Sequence, residues 1–140
     1  MPILYQTSFL QLHHQAAGAT LETEWLDFVN SEQLRTALNE ALRLARQHRV
    51  QGWIANNTLL RTLRPADQDW INQTWFPEFA KLGVKRLAII ESQDALNRMG
   101  ISNIMQRATA HAPFDTQYFA DAEQARRWAA SAGAAIVPSL

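Results

Sequence analysis

The chain has 140 residues and no cysteine, and its thirteen basic residues balance its thirteen acidic ones. The absence of cysteine excludes disulfides, thiolate metal sites and cysteine nucleophiles, and it suits a reducing cytoplasm. A balanced charge attracts neither nucleic acid nor an anionic membrane, so we expect neither partner. The N-terminus MPILYQTSF lacks signal-peptide features, and no apolar run approaches the ~20 residues that cross a bilayer. We therefore expect one cytoplasmic domain over residues 1–140, without membrane insertion.

The first 28 residues predict an antiparallel hairpin. One apolar run includes Phe9 and Leu12, and a second runs from Leu21 to Phe28. The small residues between them form a turn in which Gly18 can take a positive φ. Acidic residues alternate with apolar ones in the second run, which predicts a strand that is only partly covered.

The segment Ser31–His48 predicts a helix. Asn30 can cap the first amides and Gln33 lies three residues further on, as in a capping box. Apolar residues recur at helical spacing along one face; they are Leu34, Leu38, Ala41, Leu42 and Ala45. This face should pack on a sheet.

Three apolar segments predict parallel strands, namely Val50–Ala55, Val84–Ile90 and Phe114–Ala120. They begin about thirty residues apart, which is the length of a βαβ crossover. Gly52 weakens the first strand unless a packed helix approaches closely there. The predicted class is α/β: a mixed, mostly parallel sheet of about five strands, with the N-terminal hairpin followed by βαβαβα and four to five helices.

The helix after the first parallel strand should begin at Pro65 and run to about Leu82, where Gly83 ends it. Pro77 lies inside this pattern and predicts a kink or two shorter helices.

The next helical pattern contains Gly100, which predicts a short helix over Ala95–Met99, a break, and a second helix over Ser102–Ala110. Asp121 should cap a last helix, Ala122–Ser131, followed by a loose tail over Gly133–Leu140.

The element order and three local segments resemble the SpoIIAA-like superfamily, which includes STAS domains and small bacterial STAS/SEC14-like proteins. The segments are Arg49–Trp53, Pro65–Trp70 and Tyr118–Asp121, the last followed by Ala125 and Trp128. The resemblance implies a SpoIIAA-like fold and a regulatory role. STAS domains that antagonise anti-sigma factors carry a phosphorylatable serine in an Asp-Ser-Ser-Gly-type segment. The corresponding stretch here, Leu63–Gln68, has no serine or glycine, so the phosphoswitch is not carried over.

The residue types that carry catalysis do not form a recognisable site. His13 and His14 are adjacent on a strand, so their side chains point to opposite faces and cannot easily chelate one metal. His48 and His111 are distant in sequence. A Gly-x-Ser-x-Gly elbow and the glycine-rich nucleotide motifs are absent. We therefore predict no enzymatic activity, no catalytic residue, no metal and no cofactor.

Asp67 and Asp69 form a close pair of carboxylates in the same chain segment. They are better explained by the positive end of a helix than by acid–base catalysis. A spacing of two residues also directs them to different helix faces.

Aromatic residues are concentrated in the helix after Pro65. Most fit a buried stripe, but Trp70 and Phe76 are the two that one face cannot hold, and they are candidate contacts for a protein partner. A homodimer through this helix or through an edge strand is a further prediction, with Phe114–Ala120 and the hairpin as candidate edges.

A ligand site in such a sheet is expected beyond the carboxyl ends of the parallel strands. The polar residues there are Asn56, Asn57, Thr58 and Ser92. Two functions stay open. The first is a non-catalytic regulatory or protein-interaction domain. The alternative is a small-molecule or lipid-binding domain with a pocket at these strand ends.

Overall fold

The structure is a computed structural model, and it describes residues 2–108 and 112–134. The strands are β1 (Ile3–Gln6), β2 (Leu10–Gln15), β3 (Thr20–Trp25), β4 (Gly52–Asn56), β5 (Arg86–Ile90) and β6 (Asp115–Phe119). The helices are α1 (Ser31–His48), α2 (Pro65–Trp70), α3 (Phe76–Ala80), α4 (Ala95–Ala108) and α5 (Ala122–Ala134), and a π-helical segment (Ile71–Trp75) joins α2 to α3.

The six strands form one sheet in the order β1-β2-β3-β4-β5-β6. The first three are antiparallel, and β3 to β6 are parallel. The predicted mixed, mostly parallel α/β class is confirmed. The strand β1 extends the predicted hairpin at its outer edge, with a register shift between Ile3 and Tyr5.

The two faces of the sheet are covered unequally. The strands β3 to β6 follow one another across the sheet in a single direction. Because their crossovers have the same hand, the helices that connect them all lie on one face. Residues from α1, from the α2–α3 stretch and from α4 form the large core there, together with Leu12, Leu21, Trp53 and Leu87. The other face is packed by α5, which contacts β4, β5 and β6.

The predicted bounds of α1 are confirmed, because its ends are specified locally. Asn30 Oδ1 accepts a hydrogen bond from Gln33 N at 2.8 Å, and Gln33 Oε1 accepts one from Asn30 N at 3.0 Å. These two bonds form the predicted capping box. Arg49 ends the helix in the left-handed conformation, at φ 52°.

The helix that contains Pro77 is continuous from Pro65 to Ala80, and the π-helical segment precedes the proline. Phe76 N binds Ile71 O, five residues back, instead of the carbonyl four residues back. The wider turn accommodates a proline ring, which in a regular helix meets the carbonyl four residues before it. The predicted irregularity is therefore a π-bulge. The helix ends at Ala80, two residues before its predicted end, and Gly83 takes a positive φ of 80° in the turn that follows.

Two glycines permit the close approach of α5. A Cβ at Gly52 would collide with the carbonyl of Ala129, which confirms the predicted helix packing at this position. A Cβ at Gly18 would lie 2.7 Å from the Cβ of Ala130. The predicted positive φ at Gly18 is wrong, because Ala19 takes it instead, at φ 51°.

The predicted break at Gly100 is also wrong, because α4 is one helix. A Cβ at this position would come within 2.9 Å of Gln68 Nε2, so the glycine allows the α2 side chain to approach. Residues 109–111 and 135–140, which include His111 and most of the predicted loose tail, lie outside the described residues. The helix α5 extends three residues beyond its predicted end at Ser131.

Candidate functional site

An apolar cavity of about 80 Å³ lies between the sheet and the helices of the larger core. Its sheet wall includes Trp25, Trp53, Ala55, Leu87 and Ile89. Its helix wall includes Leu34 and Leu38 from α1, Ile71 and Trp75 from the π-helical segment, Phe76 from α3, and Ile101, Ile104 and Met105 from α4. The cavity is therefore lined mainly by aromatic and aliphatic side chains from the sheet and from the helices on that face, and it is partly open.

The size of the cavity limits what it can hold. Its 80 Å³ is several times the ~10–15 Å³ that one water needs. By that measure the cavity has room for several water-sized groups, which suits a small branched apolar group.

Asn56 and Asn57 point to opposite faces, because successive side chains of an extended chain alternate. The Asn56 amide donates to Glu22 Oε2 at 3.1 Å, and its oxygen accepts from Thr58 Oγ1 at 2.8 Å. Glu22 faces α5, so this part of the predicted ligand group lies away from the cavity. Asn56 and Thr58 have structural partners there.

Ser92 and Asn57 remain on the cavity side. The Ser92 hydroxyl donates to Leu60 O at 2.8 Å and accepts from Asp94 N at 3.1 Å, so it holds the loop before α2 against the start of α4. Asn57 lines the cavity and is only 5% exposed. Within the described part of the chain, its side-chain amide forms no hydrogen bond. The polar atoms of this amide are not fully buried, so water can reach them and a ligand can replace that water.

A second space of only about 10 Å³, enough for about one water, adjoins the first at the carboxyl ends of β4 and β5, so polar groups bind at its rim rather than inside it. The two share Asn57, Ile89 and Ile101 as lining residues. The second is also lined by Glu91, Ser92, Arg98 and Tyr118. We call it the polar mouth.

The sequence prediction missed Arg98 and Tyr118. Arg98 belongs to α4 and Tyr118 to β6, so only the packing of these elements brings them beside Asn57. Burial, and secondly the charge of Glu91, raise the pKa of the Tyr118 hydroxyl. Tyr118 therefore stays protonated and can donate a hydrogen bond at neutral pH.

The two predicted partner contacts, Trp70 and Phe76, are half-buried and pack against the large core. Arg35 lies over the Trp70 ring at 5.3 Å, and Phe76 lies 6.3 Å from the ring of Phe114. The most exposed large apolar side chains are instead Leu96 and Met99 of α4, at 67% and 64%.

The histidines and aspartates have separate partners. His13 Nε2 lies 2.8 Å from Glu24 Oε1, whereas His14 is on the other face and contacts His48, with the ring centroids 4.4 Å apart and the planes tilted by 42°. Asp67 is buried and accepts from the Ser31 hydroxyl at 2.9 Å. Asp69 points elsewhere and pairs with Arg107, as the spacing of two residues predicts. Across residues 2–108 and 112–134, no group of three histidine or acidic side chains could hold a metal ion.

The polar cluster under α5 is centred on Glu22, which is 1% exposed in the middle of β3. Arg126 donates to both of its carboxylate oxygens, and Asn56 donates a third hydrogen bond. Glu22 is therefore covered, and the predicted partial exposure of this strand does not extend to it. The hydrogen bond to Glu22 raises the pKa of the Arg126 guanidinium.

A scan against protein-family models found no match, and searches of curated proteins and of solved structures found none either. Among the described helices, none has the length and apolar character needed to cross a membrane.

Proposed function

We propose that the protein is a non-catalytic binding domain that takes a small molecule between the sheet and α4. The observation that supports this most is the Asn57 amide, which has no hydrogen-bond partner among the described residues and lies where the apolar cavity meets the polar mouth. Ligand sites commonly combine an apolar wall with a few polar groups that orient the ligand. The location also fits, because parallel sheets bind ligands beyond the carboxyl ends of their strands.

Of the two functions predicted from the sequence, this proposal takes the second, a small-molecule or lipid-binding domain, and restricts the class of ligand. A long lipid chain needs more room than 80 Å³, so the ligand is a compact molecule. The cytoplasmic location and the SpoIIAA-like family membership are kept as part of the proposal, and both rest on the sequence. No cofactor is required for such binding.

Binding can be tested by NMR titration of the ¹⁵N-labelled full chain with three neutral probes: 3-methylbutan-1-ol, 4-methylpentanamide and 4-methylphenol. We expect saturable amide shifts in residues 54–57, 89–92 and 101–105. Ala55→Leu, which puts a larger side chain into the cavity, should abolish them, whereas Ala66→Leu on the exposed start of α2 should not. Shifts that persist unchanged in Ala55→Leu would place the binding elsewhere.

A second candidate function is self-association through β6, which lies at one edge of the sheet. Asp115, Gln117 and Tyr118 are exposed, the register with β5 is regular, and the strand contains no lysine or proline. Natural edge strands usually carry a lysine, a proline or a bulge that prevents pairing with another chain. The strand β1, at the other edge of the sheet, has a register shift of this kind. Two antiparallel β6 strands centred on Gln117 would place Asp115 opposite Phe119, without facing like charges.

Light scattering and chemical crosslinking test this candidate. We expect a dimer in the wild type and a monomer in Thr116→Pro, because the N–H of Thr116 points to the open edge and proline removes it from the new pairing. The control is Gln47→Ala on the exposed surface of α1, away from β6. A wild-type monomer at high concentration would exclude the dimer.

A further inference from the structure

The polar mouth contains an arginine whose charge is not neutralised. Arg98 Nη1 donates to the carbonyl of Ser92 at 2.9 Å, which holds the guanidinium beside the mouth. No ion pair joins Arg98 to any residue that the structure describes. A guanidinium has five N–H donors in a planar fork, so most of them remain available.

Three hydrogen-bond donors therefore border the mouth: the Arg98 guanidinium, the Asn57 amide and the protonated Tyr118 hydroxyl. Glu91 is the acid among the lining residues, and its side chain is exposed to solvent. Donors in excess over acceptors favour an acceptor group on the ligand. A planar group with two oxygens matches the fork of a guanidinium best.

Resting on the proposed function, we propose that the ligand of this site is a compact amphipathic carboxylate. Its branched apolar end occupies the cavity bounded by Trp53, Leu38 and Ile104, and its carboxylate binds Arg98 and Asn57 at the polar mouth. Ile101 lines both spaces, so the ligand passes beside it. The apolar cavity contributes affinity, and Arg98 selects the charge of the head group.

A series of three probes with the same 4-methylpentyl skeleton tests the head group. They are 4-methylpentanoate, 4-methylpentanamide and 4-methylpentylamine, titrated into the full chain by calorimetry and NMR. We expect the carboxylate to bind at least about tenfold more tightly than the amide, as hydrogen bonds to a charged group allow. The amine, which meets the guanidinium with a like charge, should bind most weakly.

Arg98→Gln should reduce the affinity for the carboxylate to that for the amide and leave the affinity for the amide unchanged. Arg61→Gln, at an exposed arginine of the loop before α2, is the matched control and should preserve the preference. Equal binding of carboxylate and amide overturns the carboxylate assignment but leaves the proposed function intact. Tighter binding of the amine also overturns it and points to Glu91. If none of the three probes binds saturably, the proposed function fails as well.

Discussion

Arg126 of α5 donates hydrogen bonds from Nε and Nη2 to the two carboxylate oxygens of Glu22, at 2.7 and 3.0 Å. Glu22 lies on β3, 104 residues earlier in the chain. The pair attaches α5 to β3, a strand outside the three that this helix contacts most. A fully buried carboxylate is tolerated there because Arg126 and Asn56 satisfy its oxygens.

Replacing Arg126 with methionine should therefore destabilise the fold. The change leaves Glu22 buried without its counter-charge, which costs about 3 kcal/mol in comparable pairs. Urea unfolding measures the free energy of unfolding. Arg127→Met is the control, because Arg127 is 77% exposed and its pair with Glu123 should contribute less than about 1 kcal/mol. Equal losses in the two variants would contradict the structural role of the pair.

Gly52→Ala should be destabilising because the added methyl group collides with the backbone of α5 at Ala129. Overpacking of this kind costs about 1–3 kcal/mol, or more where backbone must shift. Gly100→Ala provides a contrast, since its methyl group meets only the flexible end of Gln68 and alanine favours the helix. Thermal unfolding should show a lower midpoint for Gly52→Ala and little change for Gly100→Ala. The reverse order would mean that α5 packs differently.

Leu38→Ala tests the assignment of the apolar face of α1. Leu38 is 8% exposed and lines the cavity, so truncation should cost about 2–5 kcal/mol. Leu59→Ala, at a side chain that is 49% exposed, should change the free energy of unfolding by no more than about 0.5 kcal/mol. Urea unfolding midpoints compare the two variants, and a small effect at Leu38 would show that its face is misassigned.

The contact between the rings of His14 and His48 predicts a loss of stability in acid. Burial, and secondly the charge of His48, lower the pKa of His14 below its ordinary value of 6.5. The unfolded chain then binds this proton at a higher pH than the folded chain does. The free energy of unfolding should consequently fall as the pH drops below about 6.5 through the folded-state pKa, and be unaffected by this group above it.

His14→Gln should flatten the pH dependence of stability between about pH 7 and pH 5, because the titrating group is gone. His48→Gln should flatten it only in part, because the burial of His14 remains. Urea unfolding at several pH values gives the comparison. An unchanged slope in His14→Gln would assign the pH dependence to other groups.

Local sequence signals predicted those parts of the fold that depend on neighbouring residues. The capping box of Asn30 and Gln33 forms within one helical turn, and Pro65 begins α2 as predicted. Gly18 lies in the predicted turn without a positive φ, and Gly100 does not break α4, because both glycines make room for a distant element. The sequence shows that a glycine has no side chain, but it does not show which distant residue packs into the space beside it.

The sequence predicts only part of the candidate site, because only some of its residues carry a local signal. The edge of the sheet followed from the strand order, and strand alternation separates Asn57 from Asn56 once the faces are known. The donors Arg98 and Tyr118 had no local signal, since one is a polar residue of a helix and the other belongs to an edge strand.

Local sequence specifies the order of the elements, the amphipathic face of α1 and the edge at which polar side chains gather, because these depend on period and local hydrogen bonding. The contact of Glu22 with Arg126 and the apolar space beside Asn57 arise from packing in three dimensions. Contacts between distant segments depend on how whole elements pack. The volume left between them is a small difference between large occupied volumes, which no single segment specifies.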